Sequence, residues 1–190
     1  MRCTEIALDG NSLPWVNEAK YLGIFIKNGK SFSCNWSAAR RNYYIAINNI
    51  FGTLGHDPQI TVLLSLAKSN CFPLLTYGIA AISLPEKEIR NFSFAYGGVF
   101  NKLFKVCDAK SIEQCQYYCS CLPFSAFYDY LRYCFLAERV RRGNLSSANP
   151  FDKEDSDHFA CLALKYNLQI TDSKSFLKYK IWKVVESSLL

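Results

Sequence analysis

Long hydrophobic runs are missing from this sequence. The longest apolar stretch, residues 71–84, is interrupted by Pro73, Thr76, Gly78 and Ser83. It is therefore shorter than the roughly 20 apolar residues that span a bilayer. The first five residues also lack the apolar segment of a secretory signal. We expect an intracellular protein, nuclear or cytoplasmic, without a membrane partner.

Catalytic motifs are scarce as well. No two aspartates are adjacent, and the sequence contains no Gly-x-Ser-x-Gly, no phosphate-binding glycine loop and no His-Glu-x-x-His. The acidic run at residues 152–157 lacks the glycine and the terminal glutamate of an EF-hand loop. We interpret that run as a solvated turn before a helix N-terminus, where acids suit the helix dipole. The sequence predicts no catalytic residues and no cofactor.

Histidine is rare, whereas cysteine is not. The chain has 2 histidines, His56 and His158, and 9 cysteines. Cys115, Cys119 and Cys121 follow a C-x3-C-x-C pattern with no histidine nearby, which is not a zinc-site spacing. An odd number of cysteines without a secretory signal favours reduced, buried thiols. We expect neither a structural metal nor disulfides.

Acids are absent from one long block of the chain. The net charge is +6, and the segment from Ala19 to His56 carries cations but no acid: Lys20, Lys27, Lys30, Arg40 and Arg41. Two further basic clusters are Arg132, Arg139, Arg141 and Arg142, and Lys165, Lys174, Lys178, Lys180 and Lys183. We interpret these two as solvated helix faces, and the acid-free block as the surface for an anionic partner.

The N-terminal region has the clearest strand pattern. Residues 18–27 combine β-branched and aromatic residues, and the pattern ends in a turn signal at Asn28-Gly29. Residues 4–8 predict a second strand, followed by the turn signal Asp9-Gly10-Asn11. These signals predict a short β-hairpin beside helices.

The next element is an amphipathic helix that ends near Leu54, before Gly55, with Ser31 or Ser33 as its cap. Its apolar stripe is Trp36, Ala39, Tyr43, Ile47, Ile50 and Leu54. Arg40, Arg41 and Tyr44 fall beside this stripe. Cations and an aromatic on an exposed flank suit a phosphate backbone with a stacking surface. An ordinary amphipathic helix with solubilising arginines remains equally open.

The remaining pattern is helical. Asp57-Pro58 predicts the start of a buried helix that Pro73 kinks or ends, and a second helix continues to Ile82. Further predicted helices begin at capping boxes, Ser83–Glu86 and Ser111–Gln114, or run over residues 123–142, 156–166 and 173–188. Gly97-Gly98, inside the helix that starts near residue 86, indicates a kink or close helix packing. Residues 144–150 predict a linker.

Several stretches, taken in order, resemble one enzyme family. They are Gly10-Asn11-Ser12-Leu13-Pro14-Trp15-Val16, Lys20-Tyr21-Leu22-Gly23, Trp36 with its basic helix, Pro73-Leu74-Leu75-Thr76-Tyr77-Gly78, residues 100–105, and Leu122-Pro123. The series resembles the primer grip, the thumb and the following region of reverse transcriptases from non-LTR (LINE-type, Jockey-like) retrotransposons. It covers roughly the first three quarters of the chain.

This resemblance implies a mainly α fold, with the hairpin (1–30) packed on a thumb-like bundle of about six to eight helices. The bundle is divided into residues 31–143, a linker and residues 151–190. It implies nucleic-acid-binding residues Lys20, Tyr21, Leu22, Gly23, Lys27, Lys30, Arg40, Arg41 and Tyr44. The Tyr21-Leu22-Gly23 strand is expected to meet the primer strand.

An RNA-directed DNA polymerase uses paired carboxylates to hold two metal ions, and by this resemblance the chain starts after those motifs. We therefore expect no enzyme activity from the chain alone. We expect weak, sequence-independent binding of an RNA/DNA primer-template duplex, with another retroelement polypeptide as a possible partner. The alternative is a non-enzymatic helical interaction module with no nucleic-acid role.

Overall fold

The computed structural model describes residues 6–29, 32–55, 59–145 and 152–189. Within these ranges five short strands come first and eight α-helical segments follow, so the predicted mainly α class with a small N-terminal β region is confirmed. The chain divides into two compact units, Met1–Ala38 and Ala39–Leu190.

The first unit opens with a tight hairpin. Strands β1 (Ile6–Leu8) and β2 (Asn11–Leu13) pair antiparallel. Asp9 and Gly10 join them with φ angles of 49° and 80°, as a two-residue turn of type I′ requires. The predicted turn is confirmed at these two positions. Residues 4 and 5 of the predicted first strand lie outside the described residues.

The predicted strand over residues 18–27 is wrong as a single strand. It folds back into β3 (Glu18–Tyr21) and β4 (Ile24–Lys27), which pair antiparallel. Leu22 and Gly23 form the turn between them, with φ angles of 46° and 85°. The Tyr-Leu-Gly tripeptide is therefore the end of a strand and its turn. A run of β-branched and aromatic residues has the same composition in one long strand or two short ones, so the pattern did not reveal the turn.

A third strand completes this sheet. Strand β5 (Ser33–Asn35) pairs antiparallel with β4, so the sheet order is β3-β4-β5. Ser33 belongs to that strand and does not cap a helix. Instead, the backbone N–H of Ser37 donates to Oδ1 of Asn35 at 3.0 Å where helix α1 begins. Ser31, the other predicted cap, lies outside the described residues, as do Lys30 and Asp57-Pro58.

The helices are α1 (Ser37–Leu54), α2 (Ile60–Leu66), α3 (Phe72–Thr76), α4 (Glu86–Phe104), α5 (Ala109–Tyr118), α6 (Phe124–Arg141), α7 (Lys153–Tyr166) and α8 (Lys174–Leu189). A 3₁₀ turn, Ile79–Ala81, precedes α4. The predicted stops after α1 and α6 are confirmed, since Gly55 and Gly143 adopt the left-handed conformation there. No helix within the described ranges has the length and hydrophobicity to cross a bilayer.

The predicted kink near Pro73 takes the form of a π-helical turn. This turn, Ala67–Cys71, joins α2 to α3, and the N–H of Phe72 reaches back to the carbonyl of Ala67. Widening the helix before Pro73 accommodates a residue that has no N–H to donate. The expectation that the helix starting after Asp57-Pro58 is a buried one is wrong, because Ile60 and Val62 of α2 are exposed.

Both predicted capping boxes are wrong, although the helices start close to the predicted positions. Pro85 occupies the cap position of α4 and makes no side-chain capping bond. Asp108 caps α5, with its Oδ2 accepting from the backbone N–H of Ser111 at 2.8 Å. Four-residue boxes match many sequences by chance, and an Asp three residues before Ser111 is an equally good cap.

Helix α6 lies at the centre of the second unit and contacts α4, α7, α8 and the 3₁₀ turn. On one side, Phe124 stacks on Phe92 of α4 at a centroid distance of 5.3 Å. On the other, Tyr133 stacks on Phe159 of α7 at 4.9 Å, and Ile181 of α8 belongs to the same buried cluster. Aromatic packing on both sides makes α6 the core of this unit.

Of the two explanations for Gly97-Gly98, close helix packing fits Gly97. A Cβ added to Gly97 would lie 3.1 Å from Cγ2 of Ile112 in α5, whereas a Cβ on Gly98 would meet nothing within 4 Å. The glycine at position 97 thus lets α4 and α5 approach, and position 98 has no such requirement.

These two glycines predict a contrast in stability. Gly98→Ala should raise the free energy of unfolding by about 1 kcal/mol through helix propensity. Gly97→Ala should gain less or destabilise, because Ile112 must move. Urea denaturation of both variants measures the difference. An equal gain from both would contradict close packing at Gly97.

Candidate nucleic-acid interface

The β3-β4 hairpin carries two of the predicted lysines on one face. Lys20 lies opposite Phe25 and Lys27 opposite Glu18 in the antiparallel register, and directly paired residues share a face. The Nζ of Lys20 lies 5.9 Å from the ring centroid of Phe25. Both lysines are exposed, and neither has an ion-pair partner among the described residues. They are therefore available to an anion.

In the folded hairpin, a carboxylate lies beside the lysines of the acid-free block. Glu18 immediately precedes the block and sits across from Lys27. Its Oε1 accepts from Nδ2 of Asn35 at 2.9 Å. Counting charges along the chain missed this carboxylate, which reduces the positive potential on that face of the hairpin.

The tip of the hairpin is unusually apolar for an exposed turn. Tyr21 is 65% exposed and Leu22 is 71% exposed. Gly23 completes the turn. The β3-β4 hairpin thus contains five of the predicted site residues: Lys20, Tyr21, Leu22, Gly23 and Lys27. The predicted site residue Lys30 lies outside the described residues.

Arg40, predicted on an exposed flank, is instead held inside the second unit. Its guanidinium pairs with Oε2 of Glu88 in α4 at 2.6 Å and lies 5.6 Å from the ring centroid of Phe92. A cation paired on one side and stacked on the other ties α1 to α4. The sequence did not indicate this ion pair, because Glu88 lies 48 residues from Arg40 along the chain.

Arg41 and Tyr44 remain at the surface of α1. Arg41 is exposed and makes no ion pair with the described residues. Tyr44 packs edge-on against Tyr43 with centroids 5.7 Å apart. Partial burial raises the pKa of Tyr44, while Arg40 opposes that shift. Tyr44 is therefore a neutral, partly covered aromatic near an available cation.

One cation beside α1 was not predicted from the sequence. The Nζ of Lys102, from α4, donates to Oδ1 of Asn48 at 2.6 Å and lies 5.3 Å from the ring centroid of Phe51. Asn48 follows Arg41 by seven residues, about two helical turns, so both lie on the same face of α1. Only the fold brings Lys102 there, since it lies 54 residues from Asn48.

The interpretation of the second basic cluster as a solvated helix face is wrong for two of its four arginines. Arg132 is 0% exposed; it pairs with Asp155 and donates to the carbonyl of Ala80 at 2.9 Å. Arg139 pairs with the same carboxylate and with Asp152 at 2.7 Å. Arg141 and Arg142 are exposed, as a solvated face requires, and pair with Glu138. Asp152 and Asp155 of the acidic run are thus the partners of the two inner arginines.

The third cluster is mostly paired at the surface. Lys165 pairs with Asp129 at 2.7 Å, Lys180 with Asp172 at 2.7 Å, and Lys183 with Glu186 at 3.1 Å. Lys174 and Lys178 have no ion pair with the described residues. Because most of these lysines are neutralised locally, this cluster offers little free charge.

The described residues offer no group of three His, Cys, Asp or Glu side chains placed to hold a metal ion. The chain matches no protein-family model, no curated protein and no solved structure. The case for the interface therefore depends on the positions and charges of the chain's own side chains.

The buried ion pair predicts a strong and local stability effect. Asp155→Ala leaves the buried Arg132 charge without its carboxylate and should cost about 3–5 kcal/mol of unfolding free energy. Asp157→Ala removes an exposed acid from the same helix and should stay within about 0.5 kcal/mol. Chemical denaturation of the two variants makes the comparison. A similar cost for both would show that the pair is not structural.

Because of His158, on α7, we expect the stability of the fold to depend on pH near neutrality. Burial and the nearby Arg132 lower the pKa of this histidine from 6.5, against the smaller effects of Asp129, Asp155 and Glu154. The unfolded chain therefore binds a proton first, and stability should fall as the pH drops below about 6.5. Thermal melts across that range should show a weaker fall for His158→Gln. An unchanged profile would assign the effect to another group.

Proposed function

We propose that these residues correspond to the C-terminal, thumb-bearing part of a non-LTR retrotransposon reverse transcriptase, an RNA-directed DNA polymerase. In this proposal the chain does not catalyse polymerisation, because its sequence has no adjacent pair of aspartates. It binds primer-template nucleic acid, an RNA/DNA duplex, without reading sequence. Each unit by itself offers exposed cations to phosphates, the first unit on the β3-β4 hairpin and the second at Arg41 of α1.

One observation carries the proposal. Tyr21-Leu22-Gly23, part of the series that carries the resemblance, lies at the tip of a hairpin with Lys20 and Lys27 beside it. The tip exposes an aromatic and an aliphatic side chain, and the lysines have no ion pair with the described residues. An apolar tip that contacts sugars and bases, next to cations that contact phosphates, is a suitable arrangement for holding a strand.

The charges support a sequence-independent mode. Lysine is a point charge that contacts phosphates without distinguishing bases. Arg41 on α1 adds a third exposed cation, which has no ion pair with the described residues and is free to contact a phosphate. Because neutralising each phosphate releases counterions, such binding weakens steeply with salt.

A second candidate function is a helical interaction module with no nucleic-acid role. The observation that favours it is the ion pairing of arginines inside the protein, at Arg40, Arg132 and Arg139. The helical unit also exposes large apolar side chains, among them Phe94, Tyr118 and Leu164. These features suit a protein partner better than a phosphate backbone.

The experiment is a binding titration with a labelled RNA–DNA hybrid across a salt series. We expect the affinity to fall linearly on a log–log plot of binding constant against salt. The triple variant Lys20→Ala, Lys27→Ala, Arg41→Ala should bind more weakly, and its slope should decrease by about 0.9 for each phosphate that the variant no longer neutralises.

The matched control removes the same charge elsewhere. The variant Lys110→Ala, Lys153→Ala, Lys174→Ala takes three exposed lysines from helices α5, α7 and α8. It should keep most of the affinity and the original slope. Equal losses in the two triple variants would mean that net charge alone drives binding. No binding by the unsubstituted chain at low salt would leave the interaction module as the better account.

A further inference from the structure

A small cavity lies where the π-helical turn, α3, the loop after α5 and α8 meet. Its volume is about 280 Å³, close to the lower end of the range for small-molecule sites, so it suits a molecule of one or two rings. Part of its wall is apolar, with Phe72, Leu122 and Phe127 in the lining. The lining residues Pro73 and Ser120 are exposed, so the cavity opens to solvent and a ligand can enter.

The charge in the described lining of this cavity comes from two lysines. Lys68 of the π-helical turn and Lys178 of α8 are both exposed, and no acid among the described residues joins them in the lining. Neither has an ion pair with the described residues, whereas Lys180 and Lys183, also on α8, each pair with an acid. The Nζ of Lys68 donates to the carbonyl of Cys119 at 3.2 Å, which orients this ammonium group and leaves its other N–H donors for a ligand.

The two ammonium groups act on the same place in the wall. Burial raises the pKa of the Cys121 thiol, and Lys68 and Lys178 both oppose this rise. Because coulombic effects weaken with distance, both cations lie near this thiol, although they belong to different segments of the chain. Cys121 itself is buried, so a ligand meets the exposed ammonium groups and not the thiol. A cleft with apolar walls and charge of one sign attracts ligands of the opposite sign.

We propose that this cavity binds a free aromatic phosphate monoester, with the phosphate between Lys68 and Lys178 and the ring against Pro73 and Phe127. At neutral pH such a phosphate carries roughly two negative charges, which match the two unpaired lysines. Its oxygens accept charge-assisted hydrogen bonds from the ammonium groups, while the flat ring covers the apolar part of the wall. The site lies within the second unit and is independent of the hairpin lysines.

The probes are 1-naphthyl phosphate and its two halves, 1-naphthol and inorganic phosphate, each titrated calorimetrically into the full chain at neutral pH. We expect 1-naphthyl phosphate to bind. Each half should bind at least about tenfold more weakly, because 1-naphthol lacks the charged contacts and inorganic phosphate lacks the apolar ones. The proposal would be overturned if 1-naphthyl phosphate did not bind, or if either half bound equally well.

Two double variants test the part played by the lysines. Lys68→Met with Lys178→Met keeps the aliphatic stems and removes both charges, so the affinity for 1-naphthyl phosphate should fall at least about tenfold. The matched control, Lys110→Met with Lys174→Met, removes two exposed lysines of α5 and α8 that do not line the cavity. It should stay within about twofold of the unsubstituted chain. Equal losses in the two variants would assign binding to net charge and overturn the proposal.

A measurement on the unsubstituted chain keeps the test independent of variant folding. Saturating 1-naphthyl phosphate should slow the acetylation of Lys68 and Lys178 by acetic anhydride several-fold, because the bound phosphate covers both ammonium groups. Lys110 and Lys174, which are exposed outside the cavity, should react at their original rates, as read by mass spectrometry. Unchanged rates at Lys68 and Lys178 would contradict binding in this cavity.

Discussion

The buried charge of Arg132 is the constraint around which the second unit is organised. A guanidinium removed from water needs partners for its charge, because the desolvation cost is large. The Nε of Arg132 is buried without a hydrogen-bond partner among the described residues, so the two terminal nitrogens carry the pairing. They reach Asp155 on α7 and the carbonyl of Ala80 in the 3₁₀ turn. The same carboxylate holds Arg139. Two other segments, α7 and the 3₁₀ turn, thus meet at one side chain of the central helix, and their positions relative to α6 depend on it.

The same pairing changes where the positive charge of the chain is available. The arginines on α1 and α6 that tie helices together cannot also neutralise phosphates without breaking those ties. What remains free among the described residues is mainly lysine, on the hairpin and at the helix surfaces. This distribution is why the proposed contact with nucleic acid is placed on Lys20, Lys27 and Arg41, and why we expect it to be weak.

The presence of the helices was predictable from local sequence, whereas the ion pairs between side chains far apart in the sequence were not. The ends of α1 and α6 followed from Gly55 and Gly143, because a left-handed residue after a helix is a strong local signal. The turn inside residues 18–27 was missed, because Leu22 carries no turn preference. Of the candidate site, Lys20 to Lys27 lie in one hairpin because they are close along the chain, whereas the Arg40–Glu88 pair joins residues that only tertiary packing brings together.

The π-helical turn leaves a trace in the spacing of buried residues. Leu63, Ala67, Cys71 and Leu75 are buried and repeat every four positions. In a regular α-helix of 3.6 residues per turn, each such step would rotate the buried side by about 40°, and three steps by about 120°. The wider π turn takes up this rotation and keeps the row facing the core. A row of apolar residues that repeats every four positions through a helix is thus the sequence pattern that an underwound helix produces.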